Sequence, residues 1–273
     1  MTLARGRLAP DAPERKIVRI RAGRHDGQYL RDLRRYRELF YFLAWRDVLV
    51  RYKQTAIGVV WALLRPFITL AVFSVLFGML AGMPSLGVPY PILVCAALLA
   101  WQFFASALND CSNSFLGGAE LISKVYFPRL IMPGSAMIVS LIDPAFSTVI
   151  LAGLLRWFEF LPDWRIVTIP LFTLIAFCLA FGAGLWFAAL SVEFRDFRYI
   201  VPFVLQIGLF VSPVGFSSSF VPDEWRVLYS VNPMAGVIDG FRWAILRGEP
   251  PLYWPGLALS VASSAFLLWT GLW

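Results

Sequence analysis

The chain has 273 residues, 59% of them apolar and only 15% charged, with a mean hydropathy of +0.70. Soluble domains carry about a quarter charged residues. Here the apolar residues gather in blocks near or above the roughly 18–20 that a bilayer core demands, which excludes a soluble core and selects an all-α integral membrane protein. The net charge of +7 does not select nucleic acid: most Lys and Arg precede the first apolar block, where they orient a membrane protein, and no nucleic-acid motif accompanies them.

Residues 1–28 are basic, poor in aromatics and interrupted by Pro10 and Pro13, which predicts a disordered cytoplasmic leader. No apolar run follows closely enough for a cleaved signal peptide. The one histidine, His25, reads as a solvated residue. Cys95, Cys111 and Cys178 show no CxxC spacing and read as small packing residues, not a disulfide framework or a metal site.

Residues 29–56 form an amphipathic interface segment, helical over 29–53. Leu33, Tyr36, Phe40 and Leu43 share one side at spacings of three and four, continued by Trp45, Val48, Leu49 and Tyr52. Arg31, Arg34, Arg35 and Glu38 turn away from it. Asp47 and Arg51 stand four apart, where they can pair across one turn. Such a helix lies in the membrane interface, either as an anchor or as a docking surface at the cytoplasmic mouth of a pathway.

A six-span domain is predicted over 57–273. Span one covers 57–80, with Arg65 within snorkelling reach of the headgroups. Span two covers 90–108. The polar stretch 109–129 breaks at Gly117 and Gly118. Within it, 119–126 reads as a short helix with Leu121, Ile122 and Val125 on one face, closed by Pro128. It is either a contact element for a cytoplasmic partner or a surface loop. Span three covers 130–155, with Asp143-Pro144 near its middle. Span four covers 166–190, with Gly182 and Gly184 allowing close helix packing. A charged turn at 191–198 precedes span five over 199–216. The connection 217–251 holds two amphipathic turns. The second, 234–246, follows Asn232-Pro233 and carries Asp239 and Arg242 three apart and able to pair. It suits a surface helix on the outer leaflet or a gate. Span six covers 252–273. With six spans, the leader, Lys124, Arg129, Arg195 and Arg198 share one side, so the amino terminus is predicted to be cytoplasmic.

No GxxxxGK[ST] occurs, so the chain cradles no nucleotide in the P-loop manner. Asp143 reads as the one carboxylate deep in a span, costing roughly 2.5–3.5 kcal/mol unless partnered. A hydrogen bond to a neighbouring helix explains it better than a proton relay, which needs several such groups. Tyr199, Phe203, Gln206, Phe210 and Pro213 fall on one helix face at spacings of four, three, four and three. Aromatic rings and an amide suit the C–H faces and hydroxyls of sugars, and the same stripe also suits ordinary packing.

Five blocks stand in order: RDVLVRYKQTAIGVVWALLRP (46–66), LISKVYFPRLIMP (121–133), FRDFRYIVPFVLQ (194–206), SPVGF (212–216) and NPMAGVIDGFRWAIL (232–246). Together they resemble the membrane subunit of bacterial ABC exporters for polysaccharides or polyol phosphates, the class that exports O-antigen, capsule and teichoic acid chains. The resemblance spans about 39–273. It implies a homodimer of six-span permeases in the inner membrane, moving a lipid-linked polysaccharide outward. Two cytoplasmic ATPase subunits would hold ATP and Mg, while this chain binds no cofactor or metal and catalyses nothing itself. The resemblance also implies that Leu121, Ile122, Lys124, Val125 and Tyr126 form a helix coupled to the ATPase. Trp45, Arg46, Asp47, Arg51 and Tyr52 would belong to a cytoplasmic gate, and Asn232, Pro233, Asp239 and Arg242 to an outer gate. The path would lie between protomers, lined by Trp61, Phe73 and Phe77 of span one and by Tyr199, Phe203, Gln206 and Phe210. Alternatives are the same machine for a lipid or drug, a proton-coupled transporter, and a membrane-embedded transferase of lipid-linked sugars. A transferase needs clustered carboxylates or a histidine near a headgroup. Members of this family usually carry a short charged tail past the sixth span, where this sequence ends at Trp273.

Overall fold

The computed structural model describes residues 34–53, 58–85 and 87–273. The expected leader, the start of the interface helix and the junction at 54–57 lie outside the described residues. Among those described there is no strand. Five stretches are long and apolar enough to cross a membrane: Val60–Leu80, Tyr90–Gly117, Ile131–Trp157, Trp164–Glu193 and Trp254–Leu272.

The interface helix α1 spans Arg37–Lys53. Span one begins as α2, Gly58–Phe73, and continues through a π-helical turn, Ser74–Leu80. Pro66 sits inside α2. Lacking an N–H, it frees the Ala62 carbonyl one turn earlier.

The centre of the molecule is α3, Tyr90–Gly117, whose apolar stretch is far more buried than that of any other span. It is longer than the predicted 90–108, because the polar tract after Leu108 stays helical. The short polar side chains there bond back onto their own helix: Ser112 and Asn113 donate to the Asn109 carbonyl and Ser114 to that of Cys111. The turn at Gly117-Gly118 ends it. The short helix α4, Ala119–Lys124, follows.

Span three is not one helix. It divides into α5, Ile131–Val139, and α6, Asp143–Trp157. Pro144 cannot donate to the Ser140 carbonyl, so the backbone turns there and the helix restarts. Span four opens with a 3-10 turn, Trp164–Thr168, and continues as α7, Ile169–Glu193. A Cβ on Gly182 would stand 2.4 Å from the Leu268 backbone nitrogen, so the predicted close approach occurs here, against the last helix. Gly184 likewise lies directly over Cys111.

The predicted fifth span is shorter than expected. α8 covers Phe197–Val211, only 15 residues. At 1.5 Å per residue it reaches about 22 Å, less than the roughly 30 Å hydrocarbon core. The chain then leaves the helix at Ser212, next to Pro213, and runs irregularly to α9, Asp223–Tyr229. α10, Pro233–Ile245, follows, and α11, Trp254–Leu272, ends the described chain. The main core joins α3, α7 and α10. A second, separate cluster gathers Leu43, Phe127, Ile131 and Met132 under α1.

Candidate functional site

Between α2, α3, α6 and α8 lies a cavity of about 1100 Å³. One face of α3 supplies Trp101, Gln102, Ala105, Ser106, Asn109 and Asp110. These positions recur at helical spacings of one, three and four, a polar stripe on an otherwise apolar helix. The stripe was readable in the sequence once residues 109–116 are kept in the helix. With span two predicted to end at Leu108, Asp143 is the one carboxylate expected inside a span; the structure corrects this, because Asp110 also lies on a membrane-length helix, α3. From the opposite walls come Trp61, Arg65 and Thr69 of α2, Asp143 and Ser147 of α6, and Pro202 and Gln206 of α8. The lining thus combines two indole rings with amides, hydroxyls and both signs of charge.

The charges are organised around Arg51, near the end of α1. Its Nη2 donates to both Asp110 carboxylate oxygens at 3.2 and 3.0 Å, and its Nη1 stands 3.4 Å from Asp143 Oδ2. Each carboxylate also accepts a hydroxyl from a different segment, the C-cap of α5 for Asp110 and α3 for Asp143. Ser140 Oγ donates to Asp110 at 2.9 Å, and Ser106 Oγ donates to Asp143 at 2.6 Å. Ionisable side chains within membrane segments face the interior of the bundle and pair with one another, as these do. The expected Asp47–Arg51 pairing across one turn is replaced: Asp47 accepts from its neighbour Arg46 at 2.7 Å, and Arg51 reaches across to α3 and α6.

The predicted inward face of α1 holds at Tyr36, Phe40 and Leu43, where Leu39 and Ala44 join it, but its continuation differs: Trp45 is exposed and Arg51 continues the inward face. The driving contact is Phe40 over Gly134 of α5, where a Cβ would meet the ring at 3.0 Å. The Tyr52 side chain lies outside the described residues.

Other expected sites are placed as follows. Leu121 and Ile122 of α4 pack inward on the second cluster. The chain becomes extended at Val125, so Val125 leaves the face predicted for it and is exposed with Lys124 and Tyr126. Of the seven residues expected along a path, Trp61 and Gln206 line the cavity. Phe73 is buried and stacks on Phe210 at 5.9 Å, with Phe77 tilted against it at 5.4 Å. Tyr199, Phe203 and Phe210 stand exposed on α8.

The outer connection differs most from its prediction. α10 is not a surface helix: nearly every residue from Met234 to Ile245 is buried. Asn232 caps it, accepting from the Met234 N–H and donating to Ser212 Oγ at 2.9 Å, with Pro233 next. Arg242 is fully buried and donates to the carbonyls of Val214 at 2.9 Å, Phe216 at 2.6 Å and Leu93 at 3.3 Å. Asp239 accepts from Ser218 instead of closing the simple three-apart pair with Arg242. Burial pushes the Asp239 carboxyl above its usual range, against the pull of the Ser218 bond and the nearby Arg242 charge. Tyr90 donates to the Gly215 carbonyl, and Tyr229 to that of Val211 at 2.9 Å. So the carbonyls of the irregular stretch after α8 are met one by one by side chains, the condition for non-helical backbone inside a membrane protein.

The family model described as ABC-2 type transporter matches residues 38–246. The O-antigen export system permease protein RfbA of Myxococcus xanthus is 27% identical over 244 residues, covering 88% of this chain and 92% of that protein. A protein of the same name from Klebsiella pneumoniae is 25% identical over 224 residues, covering 79% of this chain and 85% of its own. The inner membrane transport permease YadH of Escherichia coli (strain K12) is 24% identical over 200 residues, covering 67% of this chain and 75% of that protein.

Proposed function

The chain belongs to the ABC-2 type transporter family, and from that premise we propose that it is the permease of an ATP-driven exporter of lipid-linked polysaccharide of the O-antigen kind. The observation that carries this is the cavity. An opening of about 1100 Å³, walled by two tryptophans, three amides and several hydroxyls, is chemically suited to sugar rings and their hydroxyls. A lipid or drug pathway needs no such density of amides. The relatives named for O-antigen export cover more of this chain than the transport permease YadH does, which supports the same choice.

In this proposal the chain crosses the bacterial inner membrane six times, with α8 and the irregular stretch after it making the fifth crossing together. Its amino terminus is cytoplasmic. Two copies pair, with the exposed faces of α2 and α8 turned toward the second copy, so that Tyr199, Phe203 and Phe210 meet cargo between protomers. Two ATPase subunits bind ATP and Mg and dock on Lys124, Val125 and Tyr126. The chain itself catalyses no reaction. α9 and α10, held by Arg242, close the outer end.

The test is genetic and direct. Deleting the gene should remove long-chain glycan from the cell surface while lipid-linked chains accumulate inside, and expressing the intact chain should restore it. Unchanged surface glycan in the deletion strain would overturn the assignment.

A further inference from the structure

Resting on the proposed function, we infer that Arg51 is the positioning residue through which movement at the cytoplasmic contact helix reaches the cavity. Its ion pairs with Asp110 and Asp143 form a latch that must open in each transport cycle.

Three observations place Arg51 there. First, α4 is not isolated. Leu121 and Ile122 pack into the small cluster with Leu43, Phe127, Ile131 and Met132, so a shift of α4 bears on α1. Second, α1 is a continuous helix of 17 residues. Hydrogen-bonded helices move as rods, so displacement at Leu43 is delivered to Arg51 two turns on. Third, Arg51 joins α1 to two different walls of the cavity, Asp110 on α3 and Asp143 on α6. Asp110 and Asp143 are each braced from another segment, by Ser140 at the end of α5 and by Ser106 of α3. The walls are therefore held in position while the arginine arrives from outside them.

The side chains of Arg51 and Asp143 are about a third exposed and that of Asp110 about a fifth, so solvent reaches both pairs from the arginine's side. A bridge of this kind, reached by solvent, is modest in strength and reversible. That suits a contact made and broken repeatedly better than a permanent brace. Opening it swings the guanidinium out of the cavity and leaves two carboxylates on its wall. Closing it draws α1 back across the opening.

The test uses the full chain assembled with its ATPase partner. Failure of that partner to co-purify would count against the proposed function and not against the latch, since the latch is read only on the assembled complex. In Arg51→Met the restraint on the resting state is gone, and basal ATP hydrolysis by the complex is expected to rise about fivefold, the effect of a bridge of this exposure. In the second arm Arg51 and Asp110 are replaced by cysteine, with Cys95, Cys111 and Cys178 changed to alanine. A reducible bifunctional thiol reagent matching the span of the lost ion pair then closes the junction covalently. Hydrolysis and export are expected to fall at least about tenfold on cross-linking and to return on reduction. Full cross-linking that leaves both unchanged shows a static brace and overturns the inference. A loss that reduction does not restore overturns it equally.

Discussion

Arg242 shows how one side chain can decide a stretch of backbone. A guanidinium carries five donors in a fixed fork, and here it serves the Val214 and Phe216 carbonyls of the irregular stretch after α8 together with the Leu93 carbonyl of α3. A lysine offers a point charge without that fork. Arg242→Met should therefore lower stability by about 3–5 kcal/mol, the cost of breaking a buried charged network by removing one partner. Arg242→Lys should rescue it only partly. The thermal midpoint of the purified protein in detergent measures both. A midpoint within a degree or two of the unmodified chain for Arg242→Met would show that the three bonds contribute little.

At the scale of elements, α8 is the exposed member of the bundle. Val201 is its single buried residue, and Tyr199, Phe203 and Phe210 point outward. Gln206 alone of the predicted stripe lines the cavity. If the stripe contacts cargo, Gln206→Leu and Phe203→Ala should each reduce export severalfold while leaving membrane levels and complex assembly intact, because neither is buried in the core. Surface glycan normalised to permease abundance is the measurement. The burial of α10 carries the opposite lesson. Its predicted apolar face at Val237, Phe241 and Ile245 is present, but Met234, Ala235, Ile238 and Ala244 are buried as well. Amphipathic spacing identifies which face is most apolar. It does not reveal that neighbouring helices cover the others, as α3, α7 and α11 do here.

For the whole molecule, the proposed orientation rests on charge placement: the basic residues before span one, with Lys124 and Arg129, would lie inside by the positive-inside rule. It can be read directly with an impermeant thiol reagent on a cysteine-free background. Ser123→Cys, on the exposed side of α4, should label only after the membrane is opened. Asp223→Cys, whose native side chain is almost fully exposed, should label from outside on intact cells. The reverse pattern would invert the topology.

Much of this protein was legible from the chain alone. Hydrocarbon length and charge bias act locally, so the membrane class, the existence of each apolar block, the Gly182 close approach and the presence of a short helix after Gly118 follow from residues near one another in sequence. Helix ends followed less well. Asp110 was hidden because polar residues can stay helical by bonding to their own backbone, and α8 stopped early at Ser212-Pro213. The partners of Arg51, Asp239 and Arg242 were not legible, since each was expected to pair within one turn and bonds instead to residues tens of positions away, whereas the bond from Asp143 to a neighbouring helix was expected and is met by Ser106 of α3 and Arg51 of α1. Which charges meet, and hence where the cavity opens, was decided only by packing, because a buried charge takes whichever partner the fold brings within reach and sequence separation has no bearing on that distance.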